Sequence, residues 1–234
     1  MNAIPSVSRP AVTTRRVQVI ELFVFLLILL PLMALSAVAV RPEGLGFATV
    51  AVAVIAHDLA LLSLVLFFVW RNGEGFAVLG WSRTHVAREI GIGLALFLPV
   101  FLAVAGLERL LRHAGLSAPE ALPKYLVPAP GMEYLLALVF LVVVAVTEET
   151  IFRGYLWLRF RSLTGSAIAA LLLSVSIFAL GHGYQGPVGI IAVGVLGLVY
   201  ALIYIWRGSL VAPMVMHFVQ TAIGLFLAPL LTPP

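Results

Sequence analysis

Glu148 and Glu149 stand side by side in a stretch that is otherwise apolar, and two histidines, His182 and His217, stand in later apolar stretches. An ionised carboxylate in hydrocarbon costs at least about 2.5 kcal/mol on the most lenient insertion scale. Two adjacent carboxylates at membrane depth therefore need a reason. A carboxylate with two imidazoles can take a proton from water, hold that water, and stabilise charge on an attacked carbonyl. The chemistry such a set suits is hydrolysis, here of a peptide bond.

The local spacing divides the work. Adjacent residues diverge by about 100° around a helix, so Glu148 and Glu149 face different surroundings. Arg153 follows Glu149 by four residues, the spacing and order that favour an ion pair along a helix face. Glu149–Arg153 is read as an internal pair, which leaves Glu148 for the interior of the bundle. A desolvated carboxylate with no cation partner can serve as a base. Phe178 stands four residues before His182 and can shield its imidazole from lipid. Thr221 stands four residues after His217 and can point a hydroxyl at the same space, with Gln220 one position off that face.

The elements that must position these groups are membrane helices. Of 234 residues, 62% are hydrophobic and 10% charged, too few charges to wet a globular surface. Spans of about 20 apolar residues recur near 17–40, 47–70, 90–111, 132–161, 166–184, 187–206 and 209–230. The expected fold class is an all-α polytopic membrane protein, a bundle of about seven helices (six to eight). It reads as one transmembrane domain over 1–234, with 132–230 as its catalytic core. The segment 112–131, with Pro119, Pro123, Pro128 and Pro130, reads as an extended loop. Residues 72–89 read as a short amphipathic helix on the membrane surface. No repeat suggests a transporter built from two halves.

A turn at Leu163-Thr164-Gly165-Ser166 joins the fourth and fifth spans. Glu148 lies 17 residues before Gly165 and His182 lies 17 after it. In an antiparallel helix pair, equal offsets put both at one height, about 10–15 Å below the surface once helix four runs beyond it. Arg159 and Arg161 must then reach water or snorkel to headgroups. His217 lies nine residues beyond Gly208, at a similar depth of about 13 Å.

With the N-terminus inside, the inner segments collect Arg9, Arg15, Arg16, Arg71, Arg83, Arg88, Arg159, Arg161 and Arg207. The outer segments collect Arg41, Arg109, Arg112 and Lys124. The net charge of +4 thus reads as a topology signal, and no basic run interleaved with aromatics points to nucleic acid. Trp70, Trp81, Trp157 and Trp206 read as an aromatic belt. The first apolar run is long for a signal peptide, despite Ala37-Val38-Ala39, and reads as an uncleaved helix. Cysteine is absent, so thiolate metal sites and disulfides are excluded. The Arg-rich, Lys-poor composition suits a bacterial inner-membrane protein.

Three motifs now stand in order: Glu148-Glu149-x-x-x-Arg153, Phe178-x-x-x-His182, and His217 in the last apolar helix. They resemble the motifs of the CPBP family, the CAAX protease and bacteriocin-processing proteins related to the Ras-converting CAAX endopeptidase. The resemblance spans 148–221 and implies an intramembrane, glutamate-dependent endopeptidase acting on membrane-associated peptides or proteins. It implies Glu148 as the base that activates water, His182 as the group that holds it, and His217 as the oxyanion stabiliser. The family's third motif usually ends in Asn four residues after the histidine. Here Thr221 occupies that place, a donor of shorter reach.

The resemblance favours a site without metal. One carboxylate and two histidines also make a familiar Zn²⁺ set, so Glu148, His182 and His217 are the ligands if Zn is used. Two other functions compete. A non-catalytic adaptor or bacteriocin self-immunity protein would keep the fold and bind a partner. A proton-coupled transporter would use Glu148 with His57-Asp58, a second polar pair in mid-span. That pair could line the site, contact Arg153 or carry protons, and in the absence of a motif it is read as structural.

Overall fold

A computed structural model describes residues 14–39, 45–117 and 123–227. Arg9, Arg41 and Pro119 of the charge and loop assignments lie outside them, and so does the side chain of Lys124. The described residues form seven principal helices and no strand. They are α1 Arg15–Ala39, α2 Phe47–Arg71, α3 Val86–His113, α4 Met132–Thr164, α5 Ala167–Gly181, α6 Gly186–Arg207 and α7 Val211–Leu227. Five segments are long and apolar enough to cross a membrane; α5 and α7 are shorter apolar helices. In hydrocarbon every backbone N–H and C=O must be satisfied within its own segment, which the helix does. The chain is an integral, all-α membrane protein.

The hub of the bundle is α4. It packs on α2, α5 and α7, while α3 packs on α6 and α7, and α1 covers α5 and the end of α4. Large apolar residues of α3 such as Leu94, Leu98 and Leu102 stay exposed on its outer side. In lipid such a face needs no cover, because the surrounding tails are as apolar as the side chains.

From Thr150 to Leu156, α4 widens into a π-helix, and all seven of those residues are buried. Such turns are frequent at functional sites. The hairpin to α5 forms where the turn signal lies. Gly165 caps α4 at φ 70°, and the Ser166 side chain accepts from the Ala169 N–H at 3.2 Å. Phe152 and Phe178, each 13 residues from Gly165, meet with ring centroids 5.0 Å apart. The equal-offset register is therefore the observed one.

The Arg-rich end of the bundle differs from expectation. Residues 72–85 hold no amphipathic surface helix. They form one 3₁₀ turn, Phe76–Leu79, whose Leu79 is fully buried. Gly80 (φ 88°) turns the chain, and its carbonyl accepts from the Leu210 N–H at 3.1 Å. The turn thus plugs the bundle between α4 and the α6–α7 corner. Arg159 does not snorkel: it is 1% exposed and grips Glu74 with two hydrogen bonds of 2.9 and 2.6 Å. Of the two, Arg161 is the exposed one, its guanidinium 5.0 Å from the Trp157 ring. Two further pairs close this end: Arg71 with Glu21 at 2.6 Å, and Arg207 with Glu89 at 3.1 and 2.6 Å. The aromatic belt is only half there. Trp70 and Trp206 are exposed, but the Trp81 indole N–H donates to Thr150 Oγ1 at 2.9 Å and Trp157 packs edge-on against Tyr204.

The plug touches α4 closely. A Cβ at Gly154 would lie 2.8 Å from the Leu79 carbonyl oxygen, whereas one at Gly91 on α3 meets nothing within 4 Å. Gly154→Ala should therefore lower stability by about 1–3 kcal/mol. Gly91→Ala should leave it level or raise it by up to about 1 kcal/mol. Thermal unfolding in detergent reads both; equal melting temperatures would remove this contact as a constraint.

Candidate active site

Four helix segments meet around Glu149. Its side chain is completely buried. Its Oε1 accepts from Arg153 Nη1 at 2.9 Å, as the spacing predicts, and also from His217 Nδ1 at 2.9 Å. The second bond is the feature that spacing alone did not reveal. Within the membrane, one carboxylate oxygen thus joins a guanidinium of α4 to an imidazole of α7.

Arg153 is held from its other side by aromatic faces. Its guanidinium carbon lies 4.1 Å from the centroid of Phe178 and 5.6 Å from that of Tyr200. A desolvated cation gains from such faces. Gly197 of α6 makes this possible, because a Cβ there would stand 2.9 Å from Phe178 and 3.3 Å from Arg153 Nη2.

Glu148 occupies a different environment from its neighbour. Its side chain is 22% exposed, against 0% for Glu149, and its Oε2 lies 3.8 Å from His217 Nε2. That Oε2 has no hydrogen-bond partner among the described residues. The two nitrogens of His217 therefore address different carboxylates. An ionised carboxylate only accepts, so Nδ1 carries the hydrogen shared with Glu149. His217 can donate from Nε2 as well only as an imidazolium.

His182 is not inside its helix but caps it: α5 ends at Gly181, and His182 adopts φ −99°, ψ 21°. Its Nδ1 donates to the Phe178 carbonyl oxygen at 2.9 Å, fixing the ring and leaving Nε2 for another partner. Phe178 does more than shield it. The Phe178 ring lies 4.8 Å from the His182 ring and 6.4 Å from the His217 ring, so it packs against both imidazoles. The Tyr200 ring of α6 lies 6.2 Å from the His217 ring, tilted by 38°. Neither aromatic spacing nor composition singled out Tyr200, whose partners come from other helices.

Thr221 lies one turn beyond His217, half-buried, and has no hydrogen bond among the described residues. The neighbouring Gln220 has its Oε1 buried and unpartnered. His57 and Asp58 bond to each other at 3.2 Å. The suggested contact with Arg153 does not form: Arg153 bonds to Glu149 through Nη1, and its buried Nη2 has no hydrogen-bond partner among the described residues. Among the described residues, no three His, Asp or Glu side chains are arranged to hold a metal ion. No step below is routed through one.

No curated protein and no solved structure gives a significant match to the chain. One family model does match, over residues 130–223, and its description is Type II CAAX prenyl endopeptidase Rce1-like. The match begins just before α4 and ends within α7, so it takes in both glutamates, both histidines and Thr221. It agrees with the resemblance carried by the three motifs. Over residues 130–223, the helices that build this site, the chain is thus similar to the Rce1-like type II CAAX prenyl endopeptidases.

Proposed function

We propose that the chain hydrolyses peptide bonds of membrane-associated peptides or proteins, with Glu148 as general base. The observation that carries this reading is the split in the carboxylate pair. Glu149 is spent on Arg153 and His217, while Glu148 keeps a partly exposed carboxylate facing His217 Nε2 at 3.8 Å. A water held by Glu148 and by His182 Nε2 gives its proton to Glu148 as its oxygen bonds to the scissile carbonyl carbon. His217, as an imidazolium, donates from Nε2 to the oxyanion, and Thr221 adds a weaker donor. The tetrahedral species then collapses, the C–N bond breaks, and Glu148 returns the proton to the leaving amine. Glu149 fixes the angle of the His217 ring by accepting from Nδ1, as carboxylates do for imidazoles elsewhere.

The charge distribution supports a cytoplasmic Arg-rich end and N-terminus, and the Arg-rich, Lys-poor composition supports a bacterial inner membrane. The active groups then lie beneath the cytoplasmic leaflet. One observation favours a second reading, a non-catalytic adaptor or self-immunity protein: Thr221 stands where the family resemblance places Asn.

Glu148→Gln should cut peptide cleavage by about 10²–10⁴-fold with the fold retained. Purified protein and a membrane-peptide library read by mass spectrometry check this; equal cleavage by wild type and variant would exclude the base. A chelator should leave the wild-type rate unchanged, whereas loss of rate restored by Zn²⁺ would transfer the water to a metal. An oxyanion donor is worth about 2.7–4 kcal/mol when fully effective. Thr221→Asn should accordingly raise kcat, by about tenfold if Thr supplies part of that already. A drop in kcat would show that Thr221 is not an imperfect stand-in.

A further inference from the structure

The mechanism above leaves one buried ionisable group unused. Asp58, at the middle of α2, is 6% exposed. Its Oδ1 meets His57 Nδ1 at 3.2 Å, and its Oδ2 is buried with no hydrogen-bond partner among the described residues. This hydrogen bond goes to the preceding residue of the same helix, so it ties α2 to no neighbour. A bond between helices does not account for a carboxylate placed there. Ionisable groups at membrane depth mark functional sites by default.

Its height places it at the active site. Helices α2 and α4 run in the same direction, as two ring contacts show: Phe47 with Phe140 at 6.3 Å and Phe68 with Tyr155 at 6.3 Å. Asp58 lies 11 residues after Phe47 and 10 before Phe68, midway between the contacts. Glu148 lies eight residues after Phe140 and seven before Tyr155, midway on the other side. One turn earlier, Val54 and Ile55 share an apolar cluster with Val144, and Phe218 and Ala222 of α7 join it. Continuing each helix by one turn carries Asp58 and Glu148 toward each other, beside His217. The ionisable groups that face Asp58 are His57 on its own helix, Glu148 from α4 and His217 from α7.

We propose that Asp58 is a positioning residue of the site, a third carboxylate that keeps His217 in the imidazolium form needed to donate from Nε2. The inference rests on the proposed hydrolytic reading and deepens it. Its logic is one of timing. Glu148 loses its negative charge when it takes the proton of water, at the moment the oxyanion forms. Glu149 shares its charge with Arg153. Asp58 takes no part in the proton transfer, so its charge persists through the step and holds the second proton on His217.

Two measurements test this, one of them independent of catalysis. Melting temperatures in detergent for wild type, Asp58→Asn, Glu148→Gln and the double variant form a cycle. Facing groups give a non-additive cycle of either sign; an additive cycle overturns the proposal. With a cleavable peptide, Asp58→Asn should lower kcat about tenfold or more with KM within about twofold, and Asp58→Glu should restore part of the loss. Asn keeps the volume and a bond to His57, so unchanged kcat in that variant also overturns it. If Asp58→Asn does not fold, Asp58→Glu decides: a folded, active enzyme supports the charge role, and a folded, inactive one refutes it. A wild type that cleaves no peptide removes the hydrolytic reading, and this proposal with it. The melting cycle would still report whether Asp58 faces Glu148.

Discussion

A carboxylate with no access to water must be matched by positive charge or hydrogen-bond donors from within the protein, and Glu149 sets this condition for the whole bundle. Burying an ion is tolerable only when its partners are close and well placed. Arg153 and His217 meet that condition at 2.9 Å each. Arg153 in turn needs the faces of Phe178 and Tyr200, and Phe178 needs the bare backbone of Gly197. Five residues on four helices are thus fixed by the need to neutralise one side chain. The same set holds the His217 ring against Glu148. Stability and activity are not separate designs here, since the contacts that make the buried charge tolerable also aim the imidazole.

The Arg-rich end answers a second constraint. The chain between α2 and α3 has to return without leaving backbone groups unsatisfied in hydrocarbon. It does so by packing as a plug, with Leu79 against Gly154 and the Gly80 carbonyl bonded to Leu210. Three carboxylates, Glu21, Glu74 and Glu89, take Arg71, Arg159 and Arg207 as partners across that end. Each pair joins segments distant in sequence. The wide π-turn of α4 is wedged between this plug and the α5 hairpin, directly after the two glutamates.

What could be read from the sequence was whatever depends on local spacing. Helix number follows from apolar length, although α5 and α7 are shorter than a span, and the common register of Glu148 and His182 follows from equal distances to Gly165. The Phe152–Phe178 contact bears that register out. The Glu149–Arg153 pair follows from the i, i+4 rule. Contacts between helices joined by no short turn were not legible. The bond from Glu149 to His217 spans 68 residues, and assigning Glu149 to Arg153 concealed it, because one carboxylate oxygen can accept twice. Arg159 was read as snorkelling since nothing local marked Glu74 as its partner, 85 residues away. The π-turn left no trace either, because apolar periodicity has little contrast where every face is buried or lies in lipid.

The consecutive glutamates show why a doubled carboxylate differs from two single ones. Placed on one helix turn, they point in different directions, and the surroundings treat them unequally. The inward one is fully buried and bound through one oxygen to both Arg153 and His217. The other keeps an oxygen without a hydrogen-bond partner and faces the outer nitrogen of the same imidazole. Either glutamate alone would leave His217 incomplete. Without Glu149 its ring would be unanchored, and without Glu148 its Nε2 would face no base. The adjacency is therefore what lets a single imidazole be held from one side and used from the other.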